Sequence, residues 1–209
     1  MSKVFVVFDL DDTLYKEIDY YKSGVKFLYR KYFNKELITS SNELKLDYNW
    51  LDEIIQKCPV SKELVLNDYR THPPAISLSN EAKRVLQKLR VENVKMSLVT
   101  DGRSITQRNK IRALEISSYF ERIIISEEIG TEKPNHKNFF KAIENYKCNK
   151  FIYVADNPKK DFLGPNELGW VSICLLDDGQ NIHPQNFNLD KSYLPKFTIS
   201  SIKELLNHI

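Results

Sequence analysis

Five short runs of β-branched and aromatic residues recur along the chain, with helical patterns between them. The runs are residues 3–8, 94–99, 122–126, 151–155 and 171–175. Apolar residues at helical spacing fall within 81–90, 104–114 and 136–146. Apolar strands that alternate with helices are typical of a parallel sheet covered on both faces. We therefore predict an α/β fold with a doubly wound parallel sheet, to which residues 197–199 and 201–208 add an edge strand and a helix.

Residues 15–78 interrupt this alternation. They separate the first run from the next helix and strand, whereas an ordinary loop between a strand and a helix has about 2–6 residues. Helical patterns occur at 20–33 and 50–56, a turn is expected at 72–74, and no segment resembles a strand. The sequence predicts a small α-helical subdomain at 15–78, inserted into a core made of residues 1–14 and 79–209.

Composition excludes several classes of protein. The net charge of +3 is too small to indicate a nucleic-acid partner. No apolar stretch approaches the roughly 18 residues that span a bilayer, and the first residues do not resemble a signal peptide. The three cysteines, Cys58, Cys148 and Cys174, form no CxxC pair and are expected to be reduced thiols. We expect a cytoplasmic protein, monomeric or homodimeric, without a membrane or nucleic-acid partner.

Polar residues follow four of the predicted strands. They are Asp9, Asp11 and Asp12 after the first run, Thr100, Asp101 and Gly102 after the second, Lys133 after the third, and Asp156, Asn157 and Asp161 after the fourth. The carboxyl ends of parallel strands lie at one edge of the sheet, where ligands bind in open α/β folds. These side chains are therefore expected to face one crevice.

Such a group of side chains suits phosphoryl transfer. Clustered carboxylates either share protons or hold a cation, and oxygen ligands favour Mg²⁺. A carboxylate can attack phosphorus, and a lysine, a hydroxyl and backbone N–H groups can then balance the developing charge. Asp9 and Asp11 are two residues apart and can reach the same side, one as nucleophile and one for proton transfer. Each residue alone also fits a structural role, such as a helix cap, but the ordered set indicates a catalytic site.

At this point the chain resembles the haloacid dehalogenase-like hydrolases. The segment 4–14, VFVVFDLDDTL, is similar to the first motif of that family. Thr100 matches the second motif, Lys133 in its EKP context the third, and Asp156 with Asp161 the fourth. The resemblance extends over residues 3–174 and implies a Rossmann-like core.

The resemblance also implies roles for these residues. Asp9 attacks phosphorus and binds Mg²⁺. Asp11 protonates the leaving oxygen, later deprotonates the hydrolytic water, and ligates the metal through its backbone carbonyl. Thr100 and the N–H groups of Asp101 and Gly102 hold phosphate oxygens.

The third and fourth motifs imply the remaining roles. Lys133 neutralises the phosphate and the nucleophile. Asp156 completes the metal site, Asp161 orients Lys133 or metal-bound water, and Asn157 supports them.

An acid at position 11 separates the chemistries of this family. Dehalogenase members lack it, because a halide needs no proton, so Asp11 favours phosphate chemistry. The resemblance implies a magnesium-dependent phosphoric monoester hydrolase acting on a small phosphorylated metabolite, such as a sugar phosphate or nucleotide. Residues 15–78 would form a mobile cap over the substrate.

Several alternatives remain open. A phosphomutase would need an acid–base group from the insertion, and a phosphonate hydrolase a lysine there, for which Lys16, Lys22 and Lys26 are candidates. A receiver-like phospho-binding module is disfavoured by the insertion, and an inactive scaffold by the complete set of motifs.

Three residues are candidates for contact with the leaving group. They are Arg103, Tyr20 and His72. Helix packing would account equally well for the tyrosine, and a turn before Pro73 for the histidine.

Overall fold

A six-stranded parallel sheet forms the centre of the computed structural model, which describes residues 4–34 and 50–209. The strands are β1 Val4–Phe8, β2 Lys95–Thr100, β3 Arg122–Ile125, β4 Lys150–Ala155, β5 Val171–Leu175 and β6 Phe197–Ile199. Their order across the sheet is β3-β2-β1-β4-β5-β6, and every pairing is parallel. The predicted doubly wound α/β fold is confirmed.

The central strand β1 is buried on both faces. Phe5 and Val7 belong to one apolar cluster, Val6 and Phe8 to another, and all four are 0% exposed. Successive side chains of a strand point to opposite faces, so a continuous apolar run suits a sheet with helices on both sides. Chain order reverses between β1 and β4, which places the ligand crevice of such a fold beside the end of β1.

Helices cover both faces of the sheet and fill the insertion. In the described residues they are α1 Glu17–Phe33, α2 Trp50–Lys57, α3 Lys62–Thr71, α4 Asn80–Val91, α5 Ser104–Ala113, α6 Ser126–Ile129, α7 His136–Ala142, α8 Pro158–Asp161 and α9 Leu163–Glu167. Three short 3₁₀ segments lie at Ser117–Tyr119, Lys191–Tyr193 and Ile202–His208. No helix in this described part of the chain is long and apolar enough to cross a membrane.

Two helix predictions were partly wrong. The segment predicted as a helix to residue 146 ends at Ala142, and Asn145 takes a left-handed conformation with φ 71°, which breaks a helix. The last predicted helix is a 3₁₀ helix. Its buried residues Ile202 and Leu205 are three apart, a spacing that fits both 3.0 and 3.6 residues per turn, so the pattern could not distinguish the two.

The insertion is helical where it is described, in α1, α2 and α3, and its residues 35–49 lie outside the described part. A separate apolar cluster joins the three helices through Val25, Leu28, Ile54 and Val65, all 0% exposed. The insertion also contacts the core, because the hydroxyl of Thr106 in α5 donates to a backbone carbonyl at the end of α3, at 3.2 Å. Its action as a cap stays a prediction.

Candidate active site

A small cavity of about 120 Å³ opens at the carboxyl ends of the central strands. Nine of the residues expected at this edge line it: Asp9, Asp11, Asp12, Thr100, Asp101, Lys133, Asp156, Asn157 and Asp161. Three further residues complete the lining: Glu17, Lys160 and His183. The cavity is strongly polar and mostly acidic, as expected for a site that binds a cation and an anion together.

Asp9 lies at the end of β1, and its backbone N–H donates to the Val154 carbonyl of β4 at 2.9 Å. This bond continues the sheet pairing and places the side chain at the crevice. The carboxylate is buried, at 5% exposure, and its Oδ1 accepts from Lys133 Nζ at 2.7 Å. Burial raises the pKa of Asp9 to about 8, with Lys133 opposing the rise and Asp161 adding to it.

Lys133 is the buried cation of the site. Its Nζ lies 2.7 Å from Asp9 Oδ1 and 2.7 Å from Asp161 Oδ1. Burial alone would lower the pKa of this ammonium, but the carboxylates of Asp161 and Asp9 hold it well above its ordinary value. Its backbone N–H donates to Asp101 Oδ1 at 3.1 Å, which fixes the loop that carries it. A permanent positive charge therefore stands beside Asp9.

The acids that follow β4 form a candidate cation site with Asp9. Oxygens of Asp9, Asp156 and Asp161 lie within 4.8 Å of one another. Asp161 is held by Tyr153 Oη, which donates at 2.9 Å, and by the Asn157 N–H at 3.0 Å. Burial, with Asp161 and Asp9 adding to it, raises the pKa of Asp156 to about 9.

This donor set fits Mg²⁺. It consists only of oxygen atoms, and Mg²⁺ binds through one or two carboxylates together with waters and substrate phosphate. Raised pKa values at Asp9 and Asp156 indicate two buried carboxylates whose negative charge lacks a full counter-charge. A divalent cation would supply it. The side chain of Asp11 is not in this cluster, which agrees with its predicted ligation through the backbone carbonyl.

Thr100 ends β2 and is buried, with Gln107 Nε2 donating to its Oγ1 at 2.5 Å. The next residues diverge from the expected phosphate loop. The Gly102 N–H donates to Ser126 Oγ at 2.9 Å, and Gly102 lines a separate, more open depression with Arg103. Gly102 and Arg103 are therefore not brought into the acidic cavity.

Asp11 has partners that the sequence patterns did not identify. Lys110 Nζ donates to its Oδ1 at 2.7 Å, Gln107 Nε2 donates to its Oδ2 at 2.9 Å, and the hydroxyl of Tyr15 donates to Oδ1. Burial would raise the pKa of Asp11, but the Lys110 ammonium and these hydrogen bonds hold it below its ordinary value. The carboxylate is thus ionised and tightly oriented.

A sequence signal for these partners existed. Gln107 and Lys110 lie on the same face of α5 as the buried Ile111 and Leu114, because residues three, four and seven apart share a helix face. Two polar side chains on a buried face require polar partners. This pattern indicates that both side chains have polar partners in the interior, but it does not identify Asp11 as that partner.

The loop after β5 also reaches the site. Asn181 Nδ2 donates to Asp156 Oδ2 at 3.0 Å, and Gln185 Nε2 donates to the Asp156 carbonyl at 2.6 Å. His183, which lies between these two residues in the sequence, is exposed and also lines the cavity. No motif marks this loop, so the sequence patterns missed it.

Tyr20 and His72, predicted as substrate contacts, lie inside the insertion and do not line the cavity. Tyr20 Oη donates to the Tyr69 carbonyl at 3.1 Å. His72 Nδ1 donates to the same carbonyl at 2.6 Å, its Nε2 is 3.2 Å from Ser23 Oγ, and burial lowers its pKa. Both residues have packing roles.

Comparison with known proteins identifies the family of this chain. A family model described as haloacid dehalogenase-like hydrolase matches residues 6–174. A glyceraldehyde 3-phosphate phosphatase from Methanopyrus kandleri is 29% identical over 97% of this chain and 95% of its own length. The N-acylneuraminate-9-phosphatase of Homo sapiens is 28% identical over 96% of this chain and 91% of its own length.

A solved structure has a similar fold. The hydrolase YfnB from Bacillus subtilis, described as bound to magnesium, superposes with a TM-score of 0.72. The sequence identity is 19%, and the match covers 99% of this chain and 97% of that protein. At this identity the likeness concerns the fold alone.

Proposed function

The chain belongs to the haloacid dehalogenase-like hydrolases, and on that premise we propose that it is a magnesium-dependent phosphatase with Asp9 as its nucleophile. It is a phosphoric monoester hydrolase, the class to which its relatives of matching length belong by name. The proposal adds the residues that perform the reaction, the metal and the kind of substrate.

One observation carries the assignment of the nucleophile. The buried ammonium of Lys133 lies 2.7 Å from Asp9 and 2.7 Å from Asp161, in a cavity that also presents Thr100 and Asp156. A carboxylate beside a fixed cation can approach a phosphate dianion that it would otherwise repel. A purely structural ion-pair cluster would not require a further buried acid, Asp156, at the same cavity.

The proposed reaction has two steps. Asp9 attacks phosphorus and forms an aspartyl-phosphate while Asp11, whose carboxylate takes up a proton when the negative phosphate lies beside it, donates that proton to the departing oxygen. Asp11 then accepts a proton from the water that hydrolyses this intermediate. Lys133 and Thr100 hold phosphate oxygens and balance their charge in both steps.

Asp9 and Asp156 would hold Mg²⁺ with their side chains and Asp11 with its carbonyl. When bound, the ion would neutralise charge on the phosphate oxygens. Asp161 is already committed to Lys133 at 2.7 Å, and its proposed role is to orient that ammonium.

The proposed substrate is a small phosphorylated metabolite, such as a sugar phosphate or a nucleotide. A cavity of about 120 Å³ suits the phosphate group, and the leaving group would extend past Lys160 and His183. Relatives of matching length are named for glyceraldehyde 3-phosphate and N-acylneuraminate 9-phosphate, and these two esters head the screen of candidate substrates. The insertion would cover the leaving group. A cytoplasmic location agrees with three free cysteines.

A phosphonate hydrolase is less well supported. Its chemistry needs a lysine from the insertion at the reaction centre. No lysine among the described residues of the insertion lines the cavity. Lys16 instead pairs with Asp178 at 2.8 Å. A phosphomutase would convert a sugar phosphate into its isomer without net release of phosphate, so the screen distinguishes it from a phosphatase.

The nucleophile is tested by Asp9→Asn, assayed with p-nitrophenyl phosphate and Mg²⁺. We expect turnover to be abolished while circular dichroism and the melting temperature show a folded protein. Asp19→Asn, which changes an exposed acid of α1, serves as the control and should retain full activity. Turnover that persists in Asp9→Asn would exclude this nucleophile. A stable aspartyl-phosphate, formed on the wild type from acetyl phosphate with release of acetate and without turnover, would indicate a receiver-like module instead.

A further inference from the structure

Two polar residues occupy the buried face of α5, the helix that follows the Thr100 strand. Gln107 is 1% exposed and Lys110 is 3% exposed, and they lie three residues apart on one side of the helix. A lysine is almost never this buried unless it is paired. Both side chains therefore have a specific function in the interior.

Gln107 connects the phosphate-binding strand to Asp11. Its Nε2 lies 2.9 Å from Asp11 Oδ2, 2.5 Å from Thr100 Oγ1 and 3.1 Å from the Asp101 carbonyl. One amide thus fixes the distance between the proposed proton donor and a proposed phosphate ligand.

Lys110 connects Asp11 to the insertion. Its Nζ lies 2.7 Å from Asp11 Oδ1, 3.4 Å from Glu17 Oε1 and 4.5 Å from the centre of the Tyr20 ring. Glu17 and Tyr20 both belong to α1, the first helix of the insertion. The same ammonium therefore contacts the catalytic loop and the inserted helices.

We propose that Gln107 and Lys110 are positioning residues, which orient the carboxyl group of Asp11 toward the oxygen of the leaving group. Lys110 also makes this orientation depend on the position of α1. The inference rests on the proposed function, in which Asp11 transfers the proton. A general acid must lie within about 2.6–3.2 Å of the atom it protonates. Asp11 follows the end of β1, so hydrogen bonds rather than strand packing select its rotamer.

The dependence of the rate on the leaving group tests this role. We would compare kcat/KM for p-nitrophenyl phosphate, whose phenolate leaves readily without a proton, with that for an aliphatic ester. Glyceraldehyde 3-phosphate is the first choice of ester. If the wild type does not hydrolyse it, we would use the ester that the wild type hydrolyses fastest in the substrate screen. This parameter includes transfer to Asp9 and departure of the leaving group but not the later hydrolysis, which both substrates share.

In Lys110→Met we expect kcat/KM for the aliphatic ester to fall about 10–100-fold more than kcat/KM for p-nitrophenyl phosphate, because general acid catalysis contributes about 10²–10⁴-fold and a misplaced acid loses this contribution even though removal of the ammonium makes Asp11 easier to protonate. Lys110→Arg should recover part of the difference. Arg112→Met, which removes an exposed cation from the same helix, should leave both values unchanged.

A double-mutant cycle completes the test. In an Asp11→Asn background, Lys110→Met should add no further preference for p-nitrophenyl phosphate, because the acid it positions is gone. Equal losses on both substrates would overturn the inference and leave Lys110 a structural role. If Lys110→Met does not fold, Gln107→Met undergoes the same comparison, and equal losses there overturn the inference as well. Failure of the proposed function is seen separately, as turnover that persists in Asp9→Asn.

Discussion

Replacement of Lys133 by methionine removes the buried cation of the site. Its Nζ makes two contacts of 2.7 Å, one with Asp9 and one with Asp161, and all three side chains are at most 7% exposed. The variant therefore keeps the two buried acids and removes the positive charge that pairs with both of them.

The expected cost in stability follows from these contacts. A charge pair at about 4 Å is worth about 4 kcal/mol at an effective dielectric constant of about 20, so two pairs give roughly 8 kcal/mol once Asp9 is ionised. Removal of the ammonium returns several kcal/mol of desolvation, and broken buried pairs cost about 3–5 kcal/mol. We expect Lys133→Met to lose about 3–5 kcal/mol in free energy of unfolding. Loss of charge stabilisation should also lower kcat by about 10²–10³-fold.

The cost should depend on pH. Asp9 has a folded pKa of about 8, so below that pH it is mostly protonated and loss of Lys133 leaves no charge there unpaired. Above about pH 8 Asp9 of the wild type is charged and paired with Lys133, whereas in the variant the same ionisation has lost its partner and is less favourable. The difference in stability between wild type and variant should therefore increase as the pH rises through about 8.

Urea unfolding without Mg²⁺, at pH values on both sides of this pKa, measures the difference. Lys160→Met is the matched control, because Lys160 lines the same cavity but is exposed. The control should change stability by no more than about 0.5 kcal/mol. A Lys133→Met protein as stable as Lys160→Met, or with kcat within about tenfold of the wild type, would refute the reasoning.

Three other predictions follow from the site and its support. Mg²⁺ must displace protons from Asp9 and Asp156, whose pKa values are raised to about 8 and 9. Below about pH 8 its apparent affinity should therefore increase as the pH increases, by up to about tenfold per pH unit for each proton displaced. Calorimetry checks this, and an affinity independent of pH would contradict it. Asp12→Ala should lose about 1–3 kcal/mol in urea unfolding, because each carboxylate oxygen accepts a backbone N–H and the residue has φ 53°; equal stability would exclude this role. Gly164→Ala places a Cβ 2.5 Å from the Phe139 ring and 2.5 Å from the Pro134 carbonyl oxygen, so we expect a loss of about 1–3 kcal/mol by the same measurement, and no loss would show that both the ring and this backbone can move.

Much of the site could be predicted because it depends on local sequence. Apolar runs identify the strands, and an acid, a threonine or a lysine directly after a run stands at the carboxyl edge of any parallel sheet. Asp9, Thr100 and Asp156 line the cavity for this reason, whereas Lys133 reaches it from the loop that follows α6. The structure differs from the expectation next to these positions, because the Gly102 N–H donates to Ser126 Oγ, and its role in phosphate binding stays a prediction.

What remained hidden depends on how separate elements pack. Lys110 meets Asp11 across 99 positions of sequence, and Asn181 meets Asp156 across 25. The spacing of apolar residues, which repeats every 2 residues in a strand and every 3.6 in a helix, indicates which face of the element is buried. It does not indicate which other element covers that face.

The sequence by itself determined the sheet, the helical character of the insertion and the acids at the strand ends, since each is set by neighbouring residues. The family resemblance implied that Lys133 neutralises Asp9, but only the tertiary structure decided where both cations of the site lie. In the folded chain Lys133 pairs with Asp9 and Asp161, and Lys110 pairs with Asp11 and Glu17. Attraction between charges depends on distance in space, and packing of the whole chain sets that distance.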